Sequence, residues 1–508
     1  MTFLKFIFKL KATILITLDC LDPYDCDVTC YRYVRDHRIN GDQKTGVSEI
    51  LASREHLNIC MVSDFFYPNV GGIESHIYQL SYCLQKRGHR VIIVTHMYGS
   101  RVGVRFISGG IKVYYLPIPP FHDQIIFPTM IVALPALRYI FLENDIHVVH
   151  GHSAFSPLAH EALFHAKLLG IHTVFTDHSL FGFADASSIV TNQLLCMTLA
   201  TCDHVICVSH MSKENTVLRA RFPDPWSVSV IPNAVDASKF LPKSHEKYTA
   251  TADKTEANVI NVVTMSRLVY RRGIDLLVDL IPNVCAKFPT VRFVIGGAGP
   301  KRIFLEEMRE RERLQDRVLL LGRIDLDEVP KFLAKGSIYI NTSLTEAFCI
   351  SIIEAACVGL LVVSTKVGGI PEVLPPDMIR LAEPNARALE ECLIMAISDL
   401  LNKPGSFLSS QECHERIRKM YCWDNVAERT ETVYERALNK PIPTIKDLIT
   451  VKYNHCGCLS RVLMTALVLL SFVVNIFCNF FYSVKKQPVL GSKYTHLTKK
   501  NGVRLKQE

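Results

Sequence analysis

Residues 259–297 read VINVVTMSRLVYRRGIDLLVDLIPNVCAKFPTVRFVIGG. The run at 259–265 is short, apolar and rich in β-branched residues, which marks a strand. Apolar residues then recur at helical spacing over 274–287, from Ile274 through Leu277 and Ile281 to Val284. A second apolar run at 291–297 ends in two glycines. Strand, helix and strand in this order make a βαβ unit, whose two strands must lie parallel. Neither strand alternates apolar and polar residues, so both faces of the sheet are expected to be covered.

The alternation continues on both sides of this stretch. Strands are expected at 317–322, 337–342 and 360–364, with helices at 301–313 and through Glu354. Upstream, strands are expected at 58–62, 90–95, 147–151, 172–176 and 204–209, and a helix at 73–87. Between the two series, residues 240–257 (LPKSHEKYTATADKTEAN from Leu241 on) are polar and without period, a linker. The expected fold class is therefore α/β, with two tandem doubly wound Rossmann-like domains at 57–239 and 258–440. Residues 1–56 carry no clear period and are expected to form a poorly ordered extension. Residues 461–484 include VLMTALVLLSFVVNIFCNFFYSV, uncharged after Arg461 and about the 20 residues that cross a bilayer. A single C-terminal transmembrane helix is expected there, followed by a basic tail at 485–508.

Composition sets limits. The chain has 508 residues, 49% hydrophobic and 21% charged, which excludes global disorder. One long apolar stretch excludes a multi-span membrane protein. The formal net charge of +8 is a mild excess for this length, compatible with a membrane surface or a phosphate-bearing substrate and too weak for nucleic acid. The 17 cysteines are scattered and odd in number, which points to a reducing compartment for the main body. Lysines and arginines around the apolar stretch, counted alone, lean instead toward a cytosolic tail.

Ligands of doubly wound sheets bind outside the carboxyl ends of the strands, and the chain's motifs fall there. Pro68-Asn69-Val70-Gly71-Gly72-Ile73-Glu74 follows the first strand, where glycines let backbone approach a phosphate or sugar and a helix start offers free N–H groups. His150-Gly151-His152 and Asp177-His178 follow two further strands and should face one cleft. His150 reads equally as a structural histidine, whereas His178 reads as functional. Ser266 to Gly273 places three fixed cations, Arg267, Arg271 and Arg272, where a diphosphate would be held. Gly296-Gly297-Ala298-Gly299-Pro300 is a turn that can pass under a base or ribose.

Glu346-Ala-Phe-Cys-Ile-Ser-Ile-Ile-Glu354 is the sharpest motif: two carboxylates seven residues apart, at a strand mouth and on the next helix. The amides of Phe348, Cys349 and Ile350 can cap a phosphate, Glu346 would face the reacting sugar, and Glu354 could accept two ribose hydroxyls. Gly368-Gly369-Ile370-Pro371-Glu372 adds a tight turn and a carboxylate. Metal chemistry has little support. The His pairs lack a Cys or carboxylate at ligand spacing, and Asp325-Leu326-Asp327 reads as a helix start. No cofactor and no metal are expected.

These motifs, in this order, resemble the retaining glycosyltransferases of the glycosyltransferase-B fold. DFFYPNVGGIESHIYQL, HGHSAFSPLAHEA, TDHSLFGFAD, IPNAVD, SRLVYRRGIDLL and EAFCISIIEAA bring the resemblance closer, to the catalytic subunits of phosphatidylinositol N-acetylglucosaminyltransferase, over roughly residues 57–484. The resemblance implies UDP-GlcNAc as donor, phosphatidylinositol as membrane acceptor, retention of anomeric configuration, and the first step of glycosylphosphatidylinositol anchor synthesis. It implies that Arg267 and Arg272 hold the donor diphosphate and that Glu354 binds the ribose. Glu346 and the amides after it would hold sugar and phosphate, with Gly297 and Gly299 on the donor side. His178 would contact the transferred sugar. Gly71, Gly72, Glu74 and His152 would line the phosphate and acceptor side. Arg272 stands where these enzymes usually carry lysine.

The resemblance also implies partner subunits and a single-pass protein of the endoplasmic reticulum membrane with its catalytic part cytosolic. In that topology the sequon Asn341-Thr342-Ser343 would never meet the lumenal machinery. Three other readings compete. A retaining transferase acting on another membrane lipid keeps the fold and changes the acceptor. A nucleotide-binding dehydrogenase lacks a G-x-G-x-x-G after any early strand. A non-catalytic scaffold would not need charged groups at every strand mouth.

Overall fold

A computed structural model describes residues 56–180, 186–221, 224–242, 259–402, 407–444, 446–450 and 458–481. The extension at 1–55, most of the linker and the basic tail lie outside these residues.

The first series of elements begins with β1 (Asn58–Val62), α1 (Gly72–Lys86) and β2 (Arg90–His96). An edge pair follows, β3 (Gly103–Phe106) and β4 (Lys112–Leu116), then a small hairpin, β5 (Pro120–His122) and β6 (Ile125–Ile126). The chain continues through α2 (Leu134–Glu143), β7 (Val148–His152), α3 (Pro157–Leu168), β8 (His172–Asp177), α4 (Ala186–Leu199), β9 (His204–Cys207), α5 (His210–Ala220) and β10 (Val228–Val230). Eight strands form one sheet in the order β10-β9-β8-β7-β1-β2-β4-β3, parallel except for β3 against β4. The strand order reverses between β1 and β7, and the loops after those two strands carry the PNVGG and HGH motifs.

The second series is β11 (Ile260–Met265), α6 (Ile274–Lys287), β12 (Val291–Gly296), α7 (Arg302–Arg311), β13 (Val318–Gly322), α8 (Val329–Ala334), β14 (Ile338–Asn341), α9 (Ile350–Val358), β15 (Leu361–Thr365) and β16 (Ile379–Ala382). Its six strands are ordered β13-β12-β11-β14-β15-β16, the dinucleotide-binding arrangement, with its crevice between β11 and β14. Those two strands lead into the arginine loop and the Glu346 motif.

Helices α10 (Ala386–Asn402), α11 (Ser410–Met420) and α12 (Trp423–Leu438) follow. Helix α12 returns to the first domain and packs on α1, β8 and β9. Arg87 grips Glu431 of α12 through two hydrogen bonds of 2.7 Å, and His89 adds a third at 2.8 Å. Tyr434 of α12 reaches His150 at 2.8 Å, so the last helix of the second series supports the floor of the first domain's cleft.

The last described helix, α13 (Cys458–Phe481), covers most of the expected transmembrane stretch. Among the described residues, however, no helix is long and apolar enough to cross a membrane, so the expected span at 461–484 is not supported. Crossing needs about 20 consecutive, predominantly apolar residues. Helix α13 lies against α2 and α3, and residues 482–484 fall outside the described residues. Asn341 of the sequon is buried in β14, donating to Ser364 Oγ at 2.9 Å and accepting from Ser343 at 3.0 Å.

Candidate active site

The arginine loop is held open by backbone geometry. Gly273 closes it at φ +62°, and a side chain there would overlap the Thr342 carbonyl. Thr342 also donates to the Arg272 carbonyl at 2.7 Å, and Leu344 N–H to the Arg271 carbonyl at 2.9 Å. The loops after β11 and β14 are thereby stitched together. Gly297 (φ +132°) passes against the Ser266 carbonyl in the same manner, and Ala298 accepts from Leu268 N–H at 2.9 Å. The glycines at 297 and 299 therefore shape the arginine loop itself.

Arg272 and Glu346 form an ion pair at the mouth of this crevice, and Ser343 donates to the same Glu346 oxygen at 3.3 Å. Glu346 is thus aimed by two partners. Arg267 is exposed and faces the Glu74 carboxyl across the cleft, where its charge draws that carboxyl's pKa down against burial. Burial prevails, and Glu74 lies above the usual carboxylate range, bonded to Asn69 at 2.7 Å.

Helix α9 starts at Ile350 with Cys349 as its N-cap, and no side chain caps its free N–H groups. They are available to an anion. Ile350 also nears the glycine motif of the first domain, since a methyl on Gly72 would stand 3.4 Å from its Cδ1. The Phe348 side chain turns away from the cleft and packs edge-to-face on Tyr421, so only its backbone serves the site. Glu354 lies one turn into α9, without a hydrogen bond or ion pair among the described residues. Burial lifts its carboxyl to about 7.

The histidines form a row on the other side of the cleft. His150 is fully used by the fold, bonded to Tyr434 at 2.8 Å and Thr176 at 2.7 Å, which settles it as structural. His152 Nδ1 stands 3.3 Å from His178 Nε2, and its Nε2 faces Met61 Sδ at 3.4 Å. If the Nε2–H of His152 points to sulfur, its Nδ1 accepts from His178, whose own Nδ1 is then an acceptor. His76 of α1 packs edge-on to His178 with ring centroids 4.6 Å apart, and its Nδ1 meets Asn233 Oδ1 at 2.8 Å. Burial, with mutual repulsion in the last two, keeps these imidazoles neutral: His76 falls to about 4, and His152 and His178 lie well below the ordinary value.

Neutral imidazoles can hydrogen-bond sugar hydroxyls. The donor atoms of His76, His152 and His178 also lie within 4.8 Å of one another, close enough to converge on one metal ion. Asn233 takes one nitrogen of His76, and Met61 and His178 take both nitrogens of His152, which leaves His178 Nδ1 as an acceptor for a further partner.

Glu372 of the GGIPE turn has a task not foreseen in the sequence. Its carboxylate accepts from His210 N at 2.6 Å and Met211 N at 2.9 Å, capping α5 of the opposite domain. His76 and Asn233 also escaped the sequence reading. Both sit inside the quoted segments ESHIYQL and IPNAVD, but only the fold brings them beside His178. Asp325, expected as a cap, makes no side-chain cap bond.

Two doubly wound domains whose strand ends converge on paired carboxylates, fixed arginines and a free helix start define a glycosyltransferase. The solved structures agree on the fold. Sucrose-phosphate synthase from Thermosynechococcus elongatus superposes with a TM-score of 0.62 at 19% identity, over 75% of this chain and 98% of that one. Anabaena HepE in complex with UDP and glucose gives 0.57 at 17%, over 75% and 100%. The family model of glycosyl transferases group 1 matches residues 251–420, and that of PIGA (GPI anchor biosynthesis) matches residues 96–185.

The particular family follows from the relatives. The phosphatidylinositol N-acetylglucosaminyltransferase subunit of Homo sapiens is 52% identical over 84% of this chain and 85% of its own length. Its counterpart in Arabidopsis thaliana is 50% identical over 84% and 92%. The chain belongs to this family, the N-acetylglucosaminyltransferase subunits of the first step of glycosylphosphatidylinositol anchor biosynthesis. Their naming as subunits implies a multi-subunit enzyme.

Proposed function

We propose that the chain takes N-acetylglucosamine from UDP-GlcNAc and transfers it to phosphatidylinositol with retention, without a metal, at the cytosolic face of the endoplasmic reticulum membrane and together with partner subunits. The observation that supports this most is the Arg272–Glu346 ion pair beside the uncapped start of α9 and the Glu354 carboxyl, which has no partner among the described residues.

In this reading the uridine ribose hydroxyls donate to Glu354, and the diphosphate lies between Arg267, Arg272 and the α9 amides. Negative charge grows on that diphosphate as the sugar leaves, and fixed cations and amide dipoles stabilise it where it develops. A diphosphate oxygen competes with Glu346 for Arg272, which frees the Glu346 carboxylate to accept hydrogen bonds from the sugar. His178 contacts the sugar from the opposite domain. The inositol hydroxyl attacks from the face the diphosphate leaves, and a leaving phosphate oxygen takes its proton. The sugar–phosphate bond breaks as the new glycosidic bond forms, giving GlcNAc-phosphatidylinositol and UDP. Trapping of a glycosyl-enzyme on Glu346 would overturn the same-face route.

UDP binding to the full chain in detergent, with EDTA present, tests the donor assignment. Wild type is expected to bind, and Arg267→Ala and Glu354→Gln to bind more weakly. Binding that needs added divalent metal, or that ignores both substitutions, would contradict it.

A further inference from the structure

The hairpin of β5 and β6 carries two large aromatic rings into the open. Phe121 is 78% exposed and Phe127 53%, and the two pair edge-to-face with centroids 5.9 Å apart. The tip turns through Asp123 and Gln124, at φ 45° and 65°. The segment's base is fixed. Ile126 is buried, and its N–H donates to Asp64 at 3.3 Å. The N–H groups of Thr129 and Met130 donate to Glu161 at 2.6 and 2.7 Å. Asp64 and Glu161 are themselves wholly buried. Two fully buried carboxyl groups hold this segment from beneath, so the aromatic tip rests on a rigid support.

The neighbouring element has reversed polarity. Met130 packs on Phe164 of α3 and Val468 of α13. Along α13, Ser471 and Asn475 are turned inward and buried, whereas Leu469, Leu470, Phe472, Val473, Ile476 and Phe477 are turned outward. A helix on a water-facing surface shows the opposite pattern. Apolar-out, polar-in packing fits a hydrocarbon surrounding, and aromatic tips fit its headgroup boundary.

We infer that Phe121 and Phe127 enter the lipid surface and, with the outer face of α13, seat the first domain on the bilayer. This rests on the reading above that the acceptor is drawn from a membrane. The occupant is lipid because the acceptor's acyl chains are confined to a bilayer, and because the two apolar surfaces adjoin through Met130. Seating the acceptor domain there sets the cleft at a fixed height over the headgroups.

The test uses the full chain with its partner subunits in phosphatidylcholine vesicles containing phosphatidylinositol, with and without brominated acyl chains. Trp226→Phe removes an exposed indole, and Phe121→Trp or Phe472→Trp then places a reporter on the hairpin or on α13. Brominated lipid is expected to quench both reporters beyond the parent's emission. Quenching at 472 but not 121 would overturn the hairpin inference and leave the membrane reading standing. Quenching at neither would overturn both, and would assign the apolar faces to a protein partner. In parallel, Phe121→Ser with Phe127→Ser is expected to raise KM for bilayer phosphatidylinositol severalfold while leaving KM for a short-chain, monomeric form unchanged. An equal rise for both forms would mark a purely structural role.

Discussion

Burial lifts the Glu354 carboxyl to about 7, and in the proposed reading this one residue ties donor binding to pH. The ionised form accepts ribose hydroxyls best, so KM for UDP-GlcNAc should rise as pH falls below about 7. Glu354→Gln should remove that slope and cost about 1.5–3 kcal/mol of donor binding, the range for hydrogen bonds to charged groups. KM measured against pH for both forms checks this. Arg272 offers a second test at the same scale. It stands where the resemblance expects lysine, and it already grips Glu346. Arg272→Ala should lower kcat about 10²-fold or more, as loss of a transition-state charge partner does. Arg272→Lys should keep most of that rate in the same assay. Both carboxylates and all three cations were readable from residue type and position after a strand. His76 and Asn233 were not, because a histidine in an apolar helix and an asparagine in a loop carry no local sign of a shared partner.

Among the elements, the turns after strands decide most. The βαβ pattern located α6 at residues 274–287 without error and the central strands to within a residue or two, since continuous β-branched runs leave few alternatives. The edge strand β3, its neighbour β4 and the hairpin β5–β6 gave weaker signals. Partly exposed strands and two-residue turns depend on neighbours that the local sequence does not contain. The role of Glu372 was hidden for the same reason: a carboxylate in a glycine turn says nothing of the helix it will cap in another domain. Its bonds to His210 and Met211 couple the second domain to α5. Glu372→Gln keeps the shape and removes the charge, and should loosen this junction by about 1 kcal/mol, the usual worth of a cap. Faster hydrogen exchange confined to the start of α5 would report it. Unchanged exchange would count against the cap.

At the scale of the whole molecule, the first domain is built on neutral histidines. His76, His160 and His204 fall to about 4, His150 and His165 to about 3, and His152 and His178 well below the ordinary value, all chiefly through burial. In the unfolded chain each binds a proton near pH 6.5. Their stabilising contribution is present above that value and is lost as pH falls through the folded values. Asp64 and Glu161, with Glu354 of the second domain, raised to about 7, and Glu74, raised as well, work the other way over part of the same range. The histidines outnumber them, so thermal stability should fall as pH drops from about 6.5 to about 4. A flat or rising Tm across that window would contradict the neutral assignment of the row.

The two domains, the paired carboxylates and the family together make one claim, that this chain is the one that transfers the sugar. The most direct measurement incubates membranes from cells lacking their own copy of the protein, complemented with this chain, with labelled UDP-GlcNAc and phosphatidylinositol in the presence of EDTA. Labelled GlcNAc-phosphatidylinositol is expected from wild type, and little or none from Glu346→Ala expressed at the same level. No product from wild type, or equal product from both, would contradict that claim.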